Sequence, residues 1–129
     1  MTLSWCFEDE RTDASRAVLS RVTDDGAVVP PLWRFEVASG LQMGVRRKRI
    51  TTTFRDSTLA DLSGLVIVAD PESDGQAWSS SIRLVDRHGL TPYDAAYLEL
   101  AQRRRLPLAT LDLALAKAAR AEMVTVIGS

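Results

Sequence analysis

The sequence has few of the residues that build the common redox and catalytic sites. Cys6 is the only cysteine and His88 the only histidine among its 129 residues. A lone cysteine excludes an internal disulfide and a cysteine-based zinc site. A lone histidine argues against a histidine-rich metal site and against a Ser-His-Asp triad. Any charge chemistry in this chain must therefore depend on carboxylates and arginines.

Long apolar runs are also missing. No segment approaches the ~18 consecutive apolar residues that a membrane span needs. No basic stretch precedes an apolar core with a small-residue cleavage site, which is the pattern of a secretory signal. We therefore expect a cytoplasmic protein with no membrane partner.

The remaining composition is that of a globular chain. Apolar residues make up 46% and charged residues 26%, and the length predicts a single domain over residues 1–129. The sixteen cations comprise fourteen arginines and two lysines, although the net charge is only −1. Arginine binds phosphate as a bidentate fork, so this bias suits RNA contact, but genomic codon bias is the favoured explanation. Net charge alone does not indicate a nucleic-acid partner.

Apolar periodicity and turn residues predict alternating helices and strands along the chain. Strands separated by helices require crossover connections, which favour a mostly parallel sheet covered by helices on both faces. The predicted fold class is therefore an α/β sandwich. The predicted helices cover 13–23, 32–49, 51–61, 76–87, 91–105 and 112–122, and the predicted strands cover 27–29, 65–68, 108–110 and 124–127.

Three acidic residues are predicted to lie at strand-to-helix junctions, where open parallel sheets form their binding sites. Each has an ordinary alternative. Glu36 could be a solvated acid favoured by a helix N-terminus. Asp94 completes a Thr-x-x-Asp capping box with Thr91. Asp112 has the position of an N-cap, a role that Thr110 could share.

Together, the three acids indicate a metal site more strongly than each acid does alone. Carboxylates at one sheet edge repel one another unless a cation or raised pKa values offset the repulsion. Hard divalent cations such as Mg²⁺ prefer oxygen ligands, and they promote phosphodiester cleavage by activating water and stabilising the leaving oxygen. The pattern favours a metal-dependent phosphodiesterase over a structural role alone.

Four segments resemble the PIN-domain family, and in particular its VapC-type ribonuclease toxins. The most specific pieces are Tyr-Asp-Ala-Ala-Tyr at 93–97 and Ala-Thr-Leu-Asp at 109–112. The likeness extends over nearly the whole chain. The resembling segments are 5–10, 28–38, 90–101 and 106–112.

The resemblance implies a metal-dependent endoribonuclease with a PIN-like three-layer sandwich. It implies that Glu36, Asp94 and Asp112 ligate Mg²⁺ or Mn²⁺, with Thr110 as the supporting hydroxyl. Members of this family usually form homodimers. They are silenced by a small antitoxin protein, whose C-terminal segment lies over the active-site groove.

One feature of the family pattern is absent. The family begins with a strand that ends in an aspartate, a few residues before the position matched by Trp5, and that strand lies at the centre of the sheet. We expect its loss to weaken both folding and metal binding. One hypothesis is that the sequence begins at an internal methionine of a longer protein. The other is a catalytically impaired PIN-like module that retains only antitoxin or dimer contacts.

Overall fold

The computed structural model describes residues 1–128 as helices connected by short strands. The strands are two or three residues long, and a 3₁₀ turn, Glu8–Glu10, follows the first helix. The helices are α1 (Thr2–Cys6), α2 (Asp13–Asp25), α3 (Trp33–Arg46), α4 (Thr52–Ser63), α5 (Ser73–Gln76), α6 (Ser80–His88), α7 (Pro92–Arg104) and α8 (Leu113–Ala121). The strands are β1 (Ala27–Val29), β2 (Ile67–Ala69), β3 (Leu108–Ala109) and β4 (Val126–Ile127).

Local capping signals explain where several helices begin. The side chain of Thr51 accepts a hydrogen bond from the Phe54 N–H, and Thr91 accepts one from the Asp94 N–H. Asp112 caps α8 in the same way. Each cap satisfies a backbone donor that the first helical turn leaves free. The predicted starts of these helices are therefore confirmed.

The largest differences from the predicted elements concern three helices. The N-terminal helix α1 was not predicted. The predicted helix over 76–87 begins later, at Ser80 (α6), because the chain leaves helical geometry after the short helix α5 ends at Gln76. The predicted helix over 32–49 ends at Arg46, since Lys48 adopts a left-handed conformation with φ of 58°.

The strands pair in parallel, as predicted, but they form two separate sheets. In the first sheet, β1 pairs with β2 in the register Val28 to Val68. In the second, β3 pairs with β4 in the register Leu108 to Val126. Among residues 1–128, no ladder joins the two pairs. The parallel direction is thus confirmed, while the single continuous sheet that the pattern predicted is not observed.

The helices cover the two sheets unequally. Leu108 of β3 packs into a core with α7 and α8. On the opposite face, Ala109 and Ile127 pack against Trp5, Val18 and Val22 of α1 and α2. The β3–β4 sheet is therefore covered on both sides. The β1–β2 sheet packs one face against α2, but Val66 and Val68 at its other face are 70% and 55% exposed.

None of the helices within residues 1–128 combines the length and apolarity that crossing a membrane requires.

Candidate active site

All four residues predicted for the site line one cleft. Glu36, Asp94, Thr110 and Asp112 contribute to a cavity of about 670 Å³ between the two sheets. Tyr97 lines it as well. Residues from two helices, α3 and α7, and from the turn between β3 and α8 thus line a common space although they are far apart in sequence.

Glu36 lies in the first turn of α3, directly after the Pro30-Pro31 segment that ends β1. Its side chain is exposed, and its Oε1 accepts a hydrogen bond of 2.5 Å from the Tyr97 hydroxyl. Burial, and then this bond to the Glu36 carboxylate, raise the pKa of Tyr97 well above its usual value. Tyr97 therefore stays protonated and holds one oxygen of Glu36 in place.

Sequence reasoning did not assign Tyr97 to the site. The sequence does contain an indication that Tyr97 belongs to the site. Tyr97 follows Asp94 by three residues on α7, and residues at this spacing share one helix face. Recognising Glu36 as its partner required knowing that α3 and α7 meet at the cleft.

Asp94 is partly buried at the third position of α7. Burial is the largest cause of its raised pKa, followed by the charge of Asp112, while a hydrogen bond with Thr91 opposes the rise. The two carboxylates are therefore close enough to repel each other. The prediction that Asp94 follows a strand is wrong, because α7 comes directly after α6.

Asp112 and Thr110 form a compact turn after β3. The Asp112 Oδ1 accepts a hydrogen bond from the Leu115 N–H at 2.8 Å. The buried Thr110 hydroxyl oxygen accepts one from the Asp112 N–H at 3.1 Å. Asp112 thus has the N-cap role given above as its ordinary alternative, and it also faces the cleft. Thr110 fixes the Asp112 backbone instead of contacting its carboxylate.

The donor chemistry of this cleft fits a hard divalent cation. It offers carboxylate and hydroxyl oxygens, and a cation would relieve the repulsion between Asp94 and Asp112, which adds to the effect of burial in raising the pKa of Asp94. The acidic side chains nevertheless do not form a complete set of metal ligands. Within the described part of the chain, no three histidine, cysteine, aspartate or glutamate side chains converge closely enough to hold a metal ion.

A further acid at a strand end, Asp70, was not singled out from the sequence. It follows β2 and is fully buried, at 0% exposure. Arg103 and Arg104 pair with it, and the Ser73 hydroxyl donates a hydrogen bond to it at 2.7 Å. The hydrogen bond from Arg103 is the largest cause of its lowered pKa. Asp70 is therefore a structural anion, and it does not line the cleft.

Comparison with known protein families gives a match over most of the chain. The family model described as PIN domain matches residues 2–121. No curated protein matches the chain significantly. The match covers most of the 129 residues, including the helices that carry Glu36, Asp94 and Tyr97 and the turn that carries Asp112. This chain belongs to the PIN-domain family.

Proposed function

We propose that this protein is a metal-dependent endoribonuclease in which Glu36, Asp94 and Asp112 form the acidic centre. PIN domains are generally nucleases, and PIN nucleases generally use divalent metals. The observation that carries the proposal is the shared cleft, in which burial and then the charge of Asp112 raise the pKa of Asp94. Perturbed carboxylates inside a cleft are typical of functional sites.

Each residue of the centre has a distinct task in this proposal. Glu36, Asp94 and Asp112 would hold Mg²⁺ or Mn²⁺, which when bound supplies activation of water and stabilisation of developing negative charge. Tyr97 orients Glu36 through the hydrogen bond that its hydroxyl donates to Oε1. Thr110 holds the Asp112 backbone, so that the carboxylate is presented from a fixed turn.

One arginine at the cleft suits contact with the nucleic-acid substrate that the family indicates. Arg21, an exposed residue of α2, lines the same cavity as the three acids. Its guanidinium suits bidentate contact with a phosphate of the RNA backbone. We therefore assign Arg21 to binding of the substrate strand and the acids to cleavage.

The finer family assignment is also part of the proposal. The likeness at 93–97 and 109–112 supports a VapC-type toxin of a type II toxin–antitoxin system, acting in the cytoplasm. Its partners would be an RNA substrate, a small antitoxin that covers the cleft, and a second copy of the chain in a homodimer. Residues 1–129 would form one PIN domain with the three-layer arrangement of that family.

RNA cleavage tests the proposal directly. A mixed RNA pool is incubated with the protein in Mg²⁺ or Mn²⁺, alongside the variants Asp94→Asn and Asp86→Asn. Asp86 is an exposed acid of α6 outside the cleft, so it controls for the loss of one negative charge. We expect cleavage by the native chain and by Asp86→Asn, and loss of cleavage in Asp94→Asn. Equal cleavage by all three would refute the assignment of Asp94.

A second candidate function is a catalytically impaired module that binds a partner without cutting RNA. The absence of a converged metal cluster among residues 1–128 favours it. Such a module needs no divalent metal. Folded protein that leaves every RNA intact with Mg²⁺ and with Mn²⁺ would therefore support this candidate over the nuclease.

A further inference from the structure

The C-terminal end of α3 carries the longest run of cations in the sequence. The run consists of Arg46, Arg47, Lys48 and Arg49, and all four residues are exposed. The whole chain has sixteen cations and seventeen acids, so the run is a local positive region on a nearly neutral protein. A local field of this kind attracts an anionic partner even where the net charge does not.

Acidic neighbours neutralise one of these four side chains. Arg49 pairs with Asp9 at 3.1 Å and with Glu10 at 3.5 Å, and its guanidinium lies 4.3 Å from the centre of the Phe7 ring. The other three cations, residues 46–48, are called the basic cluster below. Within the part of the chain that the structure describes, none of these three forms an ion pair or a side-chain hydrogen bond. Their charge is therefore available to a partner.

The backbone beneath the basic cluster is held in a hydrogen-bonded turn. The Arg47 N–H donates to the Met43 carbonyl at 3.0 Å. The Arg49 N–H donates to the Gly44 carbonyl at 2.9 Å. Lys48, with φ of 58°, has the left-handed conformation that commonly ends a helix. The backbone of the cluster is thus ordered before a ligand binds, which reduces the entropy lost on binding.

The basic cluster and the acidic centre lie at opposite ends of α3. Glu36 and Arg47 are eleven residues apart, which is close to three helical turns, so both leave the helix in about the same direction. At a rise of about 1.5 Å per residue, they are separated by about 16 Å along the helix. Three residues between them are exposed, namely Ala38, Ser39 and Met43. A flexible strand that enters the cleft can therefore follow this surface to the basic cluster.

A simpler role for these cations is to complement the negative end of the helix dipole. Arg46 lies in the last turn of α3, where a cation has this effect. One cation is sufficient for that role, whereas the chain places three unpaired cations on adjacent residues. Like charges at this spacing repel one another, and a bound polyanion would relieve the repulsion.

We propose that the basic cluster is a second RNA-binding site, which holds phosphates of the substrate strand about 16 Å from the acidic centre. The identity of the ligand rests on the proposed nuclease function, because the same helix carries Glu36. Arginine binds a phosphate as a bidentate fork, and lysine binds it as a point charge. Such contacts position the strand without reading its bases. The cluster therefore adds affinity and leaves the choice of the cleaved bond to the cleft.

Binding of single-stranded RNA in the absence of divalent metal tests the proposal. A labelled oligouridine of about 20 nucleotides is titrated in EDTA by fluorescence anisotropy over a range of salt concentrations, since phosphate contacts make binding depend on salt. The test variant carries Arg46→Gln, Arg47→Gln and Lys48→Gln. The control variant removes the same charge from exposed positions on three separate helices, α2, α6 and α8. Its substitutions are Arg16→Gln, Arg83→Gln and Lys117→Gln.

Release of counterions sets the size of the expected effect. Each phosphate contact on a single strand contributes about 0.7 to the slope of log affinity against log salt concentration. We expect the test variant to reduce this slope by about 2 and to weaken binding at low salt by on the order of tenfold. The control variant is expected to keep the native slope.

Absence of binding by the native chain, or an unchanged slope in the test variant, would overturn the proposal. An equal loss in the control variant would also overturn it. So would poly-glutamate of similar length that binds as tightly and depends equally on the cluster, because the surface would then fit an acidic peptide.

A smaller variant decides if the triple substitution prevents folding. Arg47→Gln with Lys48→Gln changes only residues that follow α3, and it is expected to reduce the slope by about 1.4. An unchanged slope in this variant refutes the site. The assay detects no cleavage, so failure here is distinguishable from failure of the nuclease proposal.

Discussion

Glu122 provides a stability prediction with a defined dependence on pH. It follows α8, and its side chain is only 10% exposed. The ring of His88 lies 2.8 Å from its Oε2, Arg87 donates two bonds of 2.9 and 3.0 Å, and Gln102 donates one of 3.2 Å. These contacts lower the pKa of Glu122 to about 2. The hydrogen bond with His88 contributes most, and the one with Arg87 comes next.

The sign of the effect follows from linkage. A carboxyl whose pKa is lowered on folding stabilises the native state above its unfolded pKa, and this stabilisation is lost as pH falls toward the folded value. Relative to the ordinary value of 4.5, the shift corresponds to roughly 3 kcal/mol at pH 7 and about half of that at pH 3.

Urea denaturation at these two pH values measures the effect. We expect Glu122→Gln to lower the free energy of unfolding by about 3 kcal/mol at pH 7, and by about half as much at pH 3. The matched control is Glu8→Gln, at an exposed acid of the 3₁₀ turn. Its effect is expected to stay within about 0.5 kcal/mol at both pH values. A loss that does not change with pH, or that grows as pH falls, would refute the reasoning.

Three further substitutions probe the site and its support. Tyr97→Phe removes the donor to Glu36, so we expect cleavage to fall several-fold while stability falls by about 1 kcal/mol; unchanged cleavage rates would contradict this orienting role. Arg103→Met removes the main partner of the buried Asp70, and we expect a loss of about 3 kcal/mol in urea denaturation, whereas a loss under about 1 kcal/mol would argue against the pair. Gly26→Ala is expected to lower stability by about 2 kcal/mol, since the residue has φ of 77° and little room for a Cβ; an unchanged Tm would contradict that strain.

The elements whose bounds depend on interactions between nearby residues are the ones that the sequence predicts best. The strand Ala27–Val29 was predicted with its observed bounds, because Gly26 and Pro30 end the neighbouring segments. The helix starts after Thr51 and Thr91 depend on caps that involve residues only three positions apart. Such signals are visible in a single sequence.

Long-range contacts determine the features that were not predicted. The bond between Tyr97 and Glu36 joins residues 61 positions apart. Arg103 of α7 pairs with the buried Asp70, which follows β2. The division into two sheets depends on whether β1 and β3 meet, which no periodicity within either strand specifies. Pattern reasoning locates candidate acids, and tertiary packing decides which of them face one cleft.

Manganese binding tests the central claim, that Glu36, Asp94 and Asp112 act as one metal centre. The protein and its Asp94→Asn and Asp86→Asn variants are titrated with Mn²⁺ at neutral pH. The account predicts a saturable site in the native chain and in Asp86→Asn, and its loss in Asp94→Asn. Saturable binding that survives Asp94→Asn, or its absence from the folded native chain, would contradict the claim.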